Sequence, residues 1–176
     1  DTNTNVIKDV ILYKYENPKF FKTLNIFAFC QFGFWSYLSF FALTTLKDIP
    51  ASESQDAEWW KKINLGESKF KNSLSIISFV LGFGVLSISW LYTLRSVRYL
   101  VLHKGGSKLS FVTYTPLGAN RIMTVPLENV SCRESRLLAN SQLPIKIKNR
   151  FMHYILDMKG EFKNNSLFDS TAGLKR

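Results

Sequence analysis

Two long stretches of the chain carry no charged side chain, and this pattern dominates its first half. One stretch runs from Thr23 to Leu46 over 24 residues, and the other runs from Asn72 to Leu94 over 23. A bilayer-spanning helix needs about 20 predominantly apolar residues, whereas the apolar runs of soluble core helices are closer to about 14. The pattern predicts two transmembrane helices, and a soluble protein with two buried helices is the alternative.

The first predicted helix begins before its uncharged stretch. Asn17 suits the N-cap and Pro18 suits the first helical position. A helix from Pro18 to Leu46 would measure about 43 Å at 1.5 Å per residue, more than a hydrocarbon core of about 30 Å. We expect it to tilt or to protrude. Both stretches are too long for the apolar region of a cleavable signal peptide, so neither is predicted to be one.

After Arg95 the chain changes to short segments rich in β-branched and aromatic residues. Strands are predicted in RYLVLHK, KLSFVTYTP, RIMTVPL, LPIKIK and FMHYILDM. Gly105-Gly106 suits the positive φ angles of a tight hairpin turn, and residues 117–120 predict a second turn. We expect a small antiparallel sheet that the second span enters directly. A short strand over Val10–Tyr15 is placed to join this sheet.

The predicted fold class is a membrane α+β protein, in which a two-helix transmembrane hairpin precedes a small antiparallel β-sheet domain that the N-terminal strand can join. The predicted divisions are residues 1–22 as an N-terminal segment with a short strand, 23–46 as the first span, 47–71 as a loop with an interfacial helix, 72–94 as the second span and 95–176 as a basic β-rich domain.

Charge distribution predicts the orientation of the hairpin. The formal net charge of +10 divides into +1 for residues 1–22, zero for 47–71 and +9 for 95–176, where fourteen basic residues oppose five acidic ones. Lys and Arg near membrane ends are retained on the side from which insertion occurs. Both termini are therefore expected on one side of the membrane, and the neutral loop on the other.

The loop is predicted to contain an interfacial helix. Ser52 and Gln55 have the spacing of a capping box, and Trp59, Trp60 and Ile63 would form a partial apolar face. Indole rings beside lysines favour the headgroup level of a bilayer. The alternative is a loop with two exposed tryptophans.

Small and polar residues recur at helical spacing in both predicted spans. The stripe on the first span consists of Asn25, Ala28, Phe32, Ser36 and Ser39, with Gln31 nearby, and that on the second of Ser75, Ser78, Gly82, Val85 and Ser89. Small residues let helices approach closely in lipid. The stripes predict packing of the two spans on each other or docking of another membrane protein, for which Asn25 and Gln31 are the expected polar contacts.

The basic domain offers a surface for an anionic partner. Arg95 and Arg98 are predicted at the headgroup boundary. The residues predicted to contact anionic lipid or RNA are Arg95, Arg98, Lys104, Lys108, Lys146, Lys148 and Arg150, with Arg121, Arg133 and Arg136 as further basic positions. An acidic protein is another candidate partner, and ordinary solvated charge with a topology signal is the alternative. No RNA-reading aromatic motif is present, so no sequence-specific nucleic acid is expected.

Catalytic chemistry has little support in the sequence. No GxSxG, phosphate-binding or dinucleotide-binding motif occurs, so we expect no enzyme and no cofactor. A zinc site would require His103 and His153 to converge with Cys132 or a carboxylate, and both histidines are instead predicted on the polar faces of strands. Cys30 lies within the first span and Cys132 in the polar tail, so no disulfide is expected and a reducing compartment fits.

Four segments, LRSVRYLVL, VPLENVSC, LPIKIK and LFDSTAG, carry a resemblance to a known family. Their order after two spans resembles the transmembrane protein 223 family, from Asp9 onward. The resemblance implies a multi-pass protein of the mitochondrial inner membrane with both termini in the matrix. It also implies association with the mitochondrial ribosome and with early cytochrome c oxidase assembly around subunit 1. The related transmembrane proteins 70 and 186 act on ATP synthase and complex I.

Three functions follow as hypotheses. In the first, the chain is an assembly or translation factor whose hairpin holds a nascent hydrophobic subunit of a respiratory complex. In the second, it is a structural subunit of a mature respiratory complex, or an assembly factor of complex I or ATP synthase. In the third, it is a channel or transporter, which has little support because no intramembrane charge marks a pathway.

Overall fold

A computed structural model describes residues 3–48 and 58–175. The helices are α1 (Pro18–Thr45), α2 (Ser68–Arg95) and α3 (Asn165–Ser170), and short 3-10 turns span Trp59–Lys62 and Leu127–Asn129. The strands are β1 (Val10–Lys14), β2 (Val97–Leu102), β3 (Lys108–Thr113), β4 (Arg121–Pro126), β5 (Val130–Cys132), β6 (Gln142–Ile147), β7 (Tyr154–Asp157) and β8 (Glu161–Phe162). The predicted fold class is confirmed: two long apolar helices precede a region of small antiparallel sheets.

Both long helices have the length and composition of membrane spans. Each contains 28 residues, but only 11% of the most apolar window of α1 and 28% of that of α2 are buried within the protein. Core helices of a soluble protein would be mostly buried, so their exposed apolar surface favours lipid as the surroundings. At the start of α1, Asn17 Oδ1 accepts a hydrogen bond from the Phe20 N–H at 3.3 Å, which is the predicted N-cap.

The second helix begins four residues before its predicted start. Lys69 and Lys71 lie in its first turns, where long basic side chains can extend from an apolar helix toward water. In the preceding loop, the predicted capping box of Ser52 and Gln55 lies outside the described residues. Of the predicted interfacial helix, the described part contains the one turn with exposed Trp59 and Trp60.

Two antiparallel sheets form the region after α2, whereas the sequence predicted one. The first has the strand order β4-β3-β2-β1-β8, and the second has the order β5-β6-β7. The N-terminal strand joins the first sheet as predicted, between β2 and β8. Both sheets contribute to one hydrophobic core, whose largest fully buried members include Tyr13, Leu100, Phe111, Ile145, Leu156 and Phe168.

The N-terminal strand contains a bulge that increases its contribution to the core. Its pairing with β2 shifts register between Ile11 and Tyr13. In a regular strand Leu12 and Tyr13 would point to opposite faces, but both are fully buried here. The Tyr13 hydroxyl donates a hydrogen bond to the Asp157 carbonyl oxygen at 2.8 Å, which ties the first strand to β7.

The chain forms two compact units. The helical unit is Leu24–Ser89, and the β unit consists of the chain on both sides of it, so it includes the first turn of α1 and the last turn of α2. Within the β unit only Ser96 separates α2 from β2. The ring of Phe21 stacks on Tyr114 at 4.1 Å between centroids and faces Tyr92 at 6.0 Å, which fixes both helix ends to the sheet.

Candidate functional site

Polar side chains inside the helical unit form hydrogen bonds between the two long helices. Gln31 Nε2 donates to the Gly82 carbonyl oxygen at 3.0 Å and to the Ala28 carbonyl oxygen of its own helix at 2.9 Å. The hydroxyl oxygens of Ser39 and Ser75 lie 2.8 Å apart. Such bonds help to hold helices together in lipid, where burial of apolar surface gives little driving force.

Gly82 lets the two helices approach closely. A Cβ atom built on Gly82 would lie 2.7 Å from Trp35 Cβ, closer than carbon atoms can pack. The same atom built on Gly84 would meet nothing within 4 Å. A larger side chain at Gly82 must therefore separate the helices, whereas one at Gly84 need not.

The predicted stripe residues differ in burial. Asn25, Ser75, Ser78, Gly82 and Ser89 are buried, and Gln31, Ser36 and Ser39 are half-buried. Val85 is 39% exposed, whereas Leu86 is only 9% exposed, so the buried face of α2 passes through Leu86 instead. Leu86 lies four residues after Gly82, and because the helical repeat is 3.6 residues it falls on the same face of α2.

Strand register places basic side chains at two opposite edges of the first sheet. One edge is the end of the sheet at which α2 enters, and we call it the helix-proximal edge. There Val97 pairs with Thr113, and Thr113 pairs with Arg121. At the other edge, the helix-distal edge, Lys108 pairs with Pro126. The five residue steps of β2 separate the edges by about 17 Å at about 3.4 Å per residue.

The basic residues predicted from sequence therefore do not form one surface. Arg95, Arg98 and Arg150 lie near the helix-proximal edge, Lys104 and Lys108 at the helix-distal edge, and Lys146 and Lys148 on or beside β6 of the second sheet. Arg121 joins the first group because it begins β4. Only the pairing of the strands separates these groups of basic residues, and amino-acid composition gives no information about that pairing.

Arg98 is engaged within the β unit. Its guanidinium lies 3.3 Å from Glu16 Oε1 and donates to Asn120 Oδ1 at 3.2 Å. It also stands 5.6 Å from the centroid of the Tyr114 ring, within cation–π range. The hydrogen bond from the Lys14 ammonium, together with Arg98, lowers the pKa of the Glu16 carboxyl. Arg98 thus positions the start of β2 rather than facing solvent freely.

His103 connects the N-terminal segment to the helix-distal edge. Its Nδ1 lies 3.1 Å from Asp9 Oδ2, and its Nε2 lies 2.7 Å from Ser110 Oγ. Ser110 Oγ is in turn 2.6 Å from Thr124 Oγ1. The backbone N–H of Lys104 donates to Asp9 Oδ1 at 2.8 Å, and this bond, reinforced by His103, lowers the pKa of the Asp9 carboxyl.

Asp9, His103 and Ser110 are linked in the same order as the acid, base and nucleophile of a hydrolase triad, but Ser110 is not accessible to a substrate. Ser110 is only 5% exposed, and its hydroxyl also bonds to the next strand. A nucleophile must reach its substrate, so we assign the network to anchoring of β1. The predicted placement of the histidines on strands is wrong: His103 lies just after β2, and His153 lies just before β7.

The cysteines are free thiols in different surroundings. Cys132 is fully buried in β5 and donates to the Glu134 carbonyl oxygen at 3.1 Å, and burial raises the pKa of its thiol. Cys30 lies exposed on α1. Within residues 3–48 and 58–175, no three His, Cys, Asp or Glu side chains are grouped to hold a metal ion.

The fold defines a membrane protein with two candidate spans and an antiparallel β region. Residues 8–174 match the TMEM70/TMEM186/TMEM223 protein family, and the chain belongs to this family. Transmembrane protein 223 of Danio rerio is 37% identical, with 99% of this chain and 74% of that protein covered. The Mus musculus and Homo sapiens proteins of that name are 36% and 33% identical, with 97% and 98% of this chain and 84% and 86% of theirs covered.

Proposed function

We propose that this chain is a non-enzymatic factor of the mitochondrial inner membrane that associates with the mitochondrial ribosome. It acts early in cytochrome c oxidase biogenesis, around newly made subunit 1. The observation that carries the proposal is membership of the TMEM70/TMEM186/TMEM223 family over residues 8–174. Likeness to transmembrane protein 223 in particular favours cytochrome c oxidase over complex I and ATP synthase.

The architecture supports a binding role for the helical unit. The polar side chains of Gln31, Ser39 and Ser75 bond within the hairpin, which leaves the outer faces of α1 and α2 apolar. Aromatic residues such as Phe34, Tyr37 and Phe40 are exposed there. Exposed aromatic and aliphatic side chains suit contact with lipid or with a hydrophobic client subunit.

Charge supports a matrix location for the β unit. Residues 95–176 carry a formal charge of +9, and the loop of residues 47–71 is neutral. The positive-inside rule keeps such a segment on the side from which insertion occurs, which for a protein inserted from the matrix is the matrix side. Separate positive patches there suit ribosomal RNA, anionic lipid or an acidic assembly partner.

Affinity purification of the tagged full-length chain from mitochondria, after pulse-labelling of mitochondrial translation, tests the proposal. We expect newly made subunit 1 and mitochondrial ribosomal proteins in substoichiometric amounts. Recovery of neither would contradict the proposal. Stoichiometric presence in purified mature complex I, ATP synthase or cytochrome c oxidase would support the structural-subunit alternative instead.

The hairpin provides a matched pair of variants for this experiment. Gly82→Leu should reduce client recovery if a well-packed hairpin is needed, because the new side chain meets Trp35. Gly84→Leu adds the same volume where a Cβ meets open space, and it should leave recovery unchanged. Equal recovery with both variants would show that client binding does not depend on hairpin packing.

A further inference from the structure

A groove opens between the last turn of α2 and the loop that precedes β7. Its volume is about 240 Å³. Its lining includes three arginines, Arg95, Arg121 and Arg150, and three apolar residues, Leu91, Leu94 and Phe151. Tyr154 and Met152 complete it, and the Arg95 guanidinium donates to Met152 Sδ. Every one of these residues belongs to the β unit, so the groove lies within one compact body.

The three arginines of the groove have no acidic partner in the part of the chain that the structure describes. By contrast, Arg98 pairs with Glu16 at 3.3 Å, and Arg136 pairs with Asp169 at 3.1 Å. Three arginines without a carboxylate repel one another, and an anion between them would relieve this repulsion. Guanidinium groups bind phosphate oxygens through paired N–H donors.

The apolar side of the groove fixes its level relative to the membrane. Leu91 and Leu94 belong to the last turn of α2, about 6 Å or less from its end at 1.5 Å per residue. Because α2 is a candidate span that ends at Arg95, this turn lies where the hydrocarbon core meets the headgroups. Phe151 is 96% exposed beside it, and Leu117 is 88% exposed in the turn that joins β3 to β4 at the same edge.

We propose that this groove binds one anionic phospholipid of the surrounding bilayer. Arg95, Arg121 and Arg150 hold its phosphate, and one acyl chain lies along Leu91 and Leu94. Phe151 inserts into the membrane beside it. The apolar half of the groove distinguishes a lipid phosphate from free phosphate, which would gain nothing from leucine side chains. The proposal rests on the membrane assignment and not on the identity of a client.

Native mass spectrometry of the detergent-purified full-length chain measures lipid retention directly. The test variant is Arg95→Gln/Arg121→Gln/Arg150→Gln, and the control is Lys8→Gln/Lys104→Gln/Lys108→Gln, which removes the same charge near the helix-distal edge. We expect the test variant to retain dioleoylphosphatidylglycerol about tenfold less well, as loss of one charge-assisted hydrogen bond or more would produce. The control should match the wild type.

Three outcomes would overturn the proposal. Equal losses in the two variants would mean that only overall charge matters. Equal retention of dioleoylphosphatidylcholine by the wild type would mean that the arginines do not recognise the headgroup. Displacement of the lipid by millimolar inorganic phosphate would mean that the groove is a free-anion site. None of these outcomes bears on recovery of ribosomes or subunit 1, so the proposed function is tested separately.

Spin labelling tests the same proposal without removing the arginines. In a Cys30→Ser background, a nitroxide on Phe151→Cys is compared with one on Ile7→Cys, an equally exposed apolar position near the helix-distal edge. Cys132 is fully buried and should not label. In liposomes, the label at position 151 should be accessible to oxygen and shielded from a water-soluble nickel reagent. Equal nickel accessibility at both positions would contradict insertion of Phe151.

Discussion

Gly160 lies against the ring of Tyr13, a side chain that is fully buried in the core of the β unit. A Cβ atom on Gly160 would overlap the Tyr13 ring and its hydroxyl. That hydroxyl donates to the Asp157 carbonyl oxygen, and burial raises the pKa of the phenol. The contact therefore joins the turn before β8 to the N-terminal strand.

We predict that Gly160→Ala destabilises the β unit by about 1–3 kcal/mol, the usual cost of overpacking a core. Thermal unfolding of the full-length chain in detergent measures the effect. Lys159→Ala changes the neighbouring, exposed residue of the same turn and should have little effect. A Gly160→Ala variant as stable as the wild type would mean that the Tyr13 ring moves aside freely.

We predict that Asp9 makes the stability of the β unit depend on pH. The Lys104 N–H, and then His103, lower the pKa of Asp9 from its ordinary value of 3.8. A carboxyl whose pKa is lower in the folded state stabilises that state above its unfolded pKa, and the effect is lost as pH falls through the folded value. The advantage of the wild type over Asp9→Asn should therefore persist at neutral pH and disappear in acid.

Melting temperatures of the wild type and of Asp9→Asn, compared from neutral pH to well below pH 3.8, test this dependence. Glu128→Gln, which removes an exposed carboxylate, is the control and should give no comparable difference. A wild-type advantage that stays constant down to the lowest pH would show that Asp9 contributes through packing and not through its charge.

Among single residues, the sequence predicted the local roles but not the long-range partners. Asn17 as N-cap and the glycine turn at Gly105-Gly106 follow from neighbouring residues, and both are found. The pairing of Asp9 with His103 joins residues 94 positions apart. Such a contact depends on β1 pairing with β2, so local patterns could not reveal it.

The long helices and the short strands were predictable to different degrees. The uncharged stretches revealed α1 and α2 because a span needs many apolar residues in succession. In contrast, β5 has three residues and β8 has two, too few to show alternation. Pairing with β6 and with β1 creates these strands. The second sheet could not be predicted because β6 pairs with β5 and β7 instead of with the first sheet, and local patterns do not reveal which strands pair.

We predict that Gly82→Leu weakens the packing of α1 on α2 by about 1–3 kcal/mol, because its side chain would clash with Trp35. Resistance of the purified chain to unfolding by increasing SDS measures this packing. Gly84→Leu is the matched control, since a Cβ there meets open space. Equal resistance of the two variants would show that the approach at Gly82 contributes nothing to the hairpin.

At the scale of the whole molecule, charge and hydrophobicity act together. Two apolar helices with little burial favour lipid as their surroundings, and we expect the +9 of residues 95–176 to keep the β unit on the side from which insertion occurs. The sequence predicted the two long helices because their apolar residues follow one another along the chain, and the side of the membrane on which the termini lie stays a prediction. The sequence could not show which basic side chains lie at which edge of the first sheet, because that depends on which strands pair.

The most direct test of the account is protease protection of the full-length chain in mitoplasts, with a different epitope tag at each terminus and a protease site inserted in the loop of residues 47–71. We expect cleavage within the loop while both terminal tags remain protected, because two spans place both termini on one side and the +9 of residues 95–176 favours the matrix for that side. Degradation of one terminal tag while the other remains protected would contradict it.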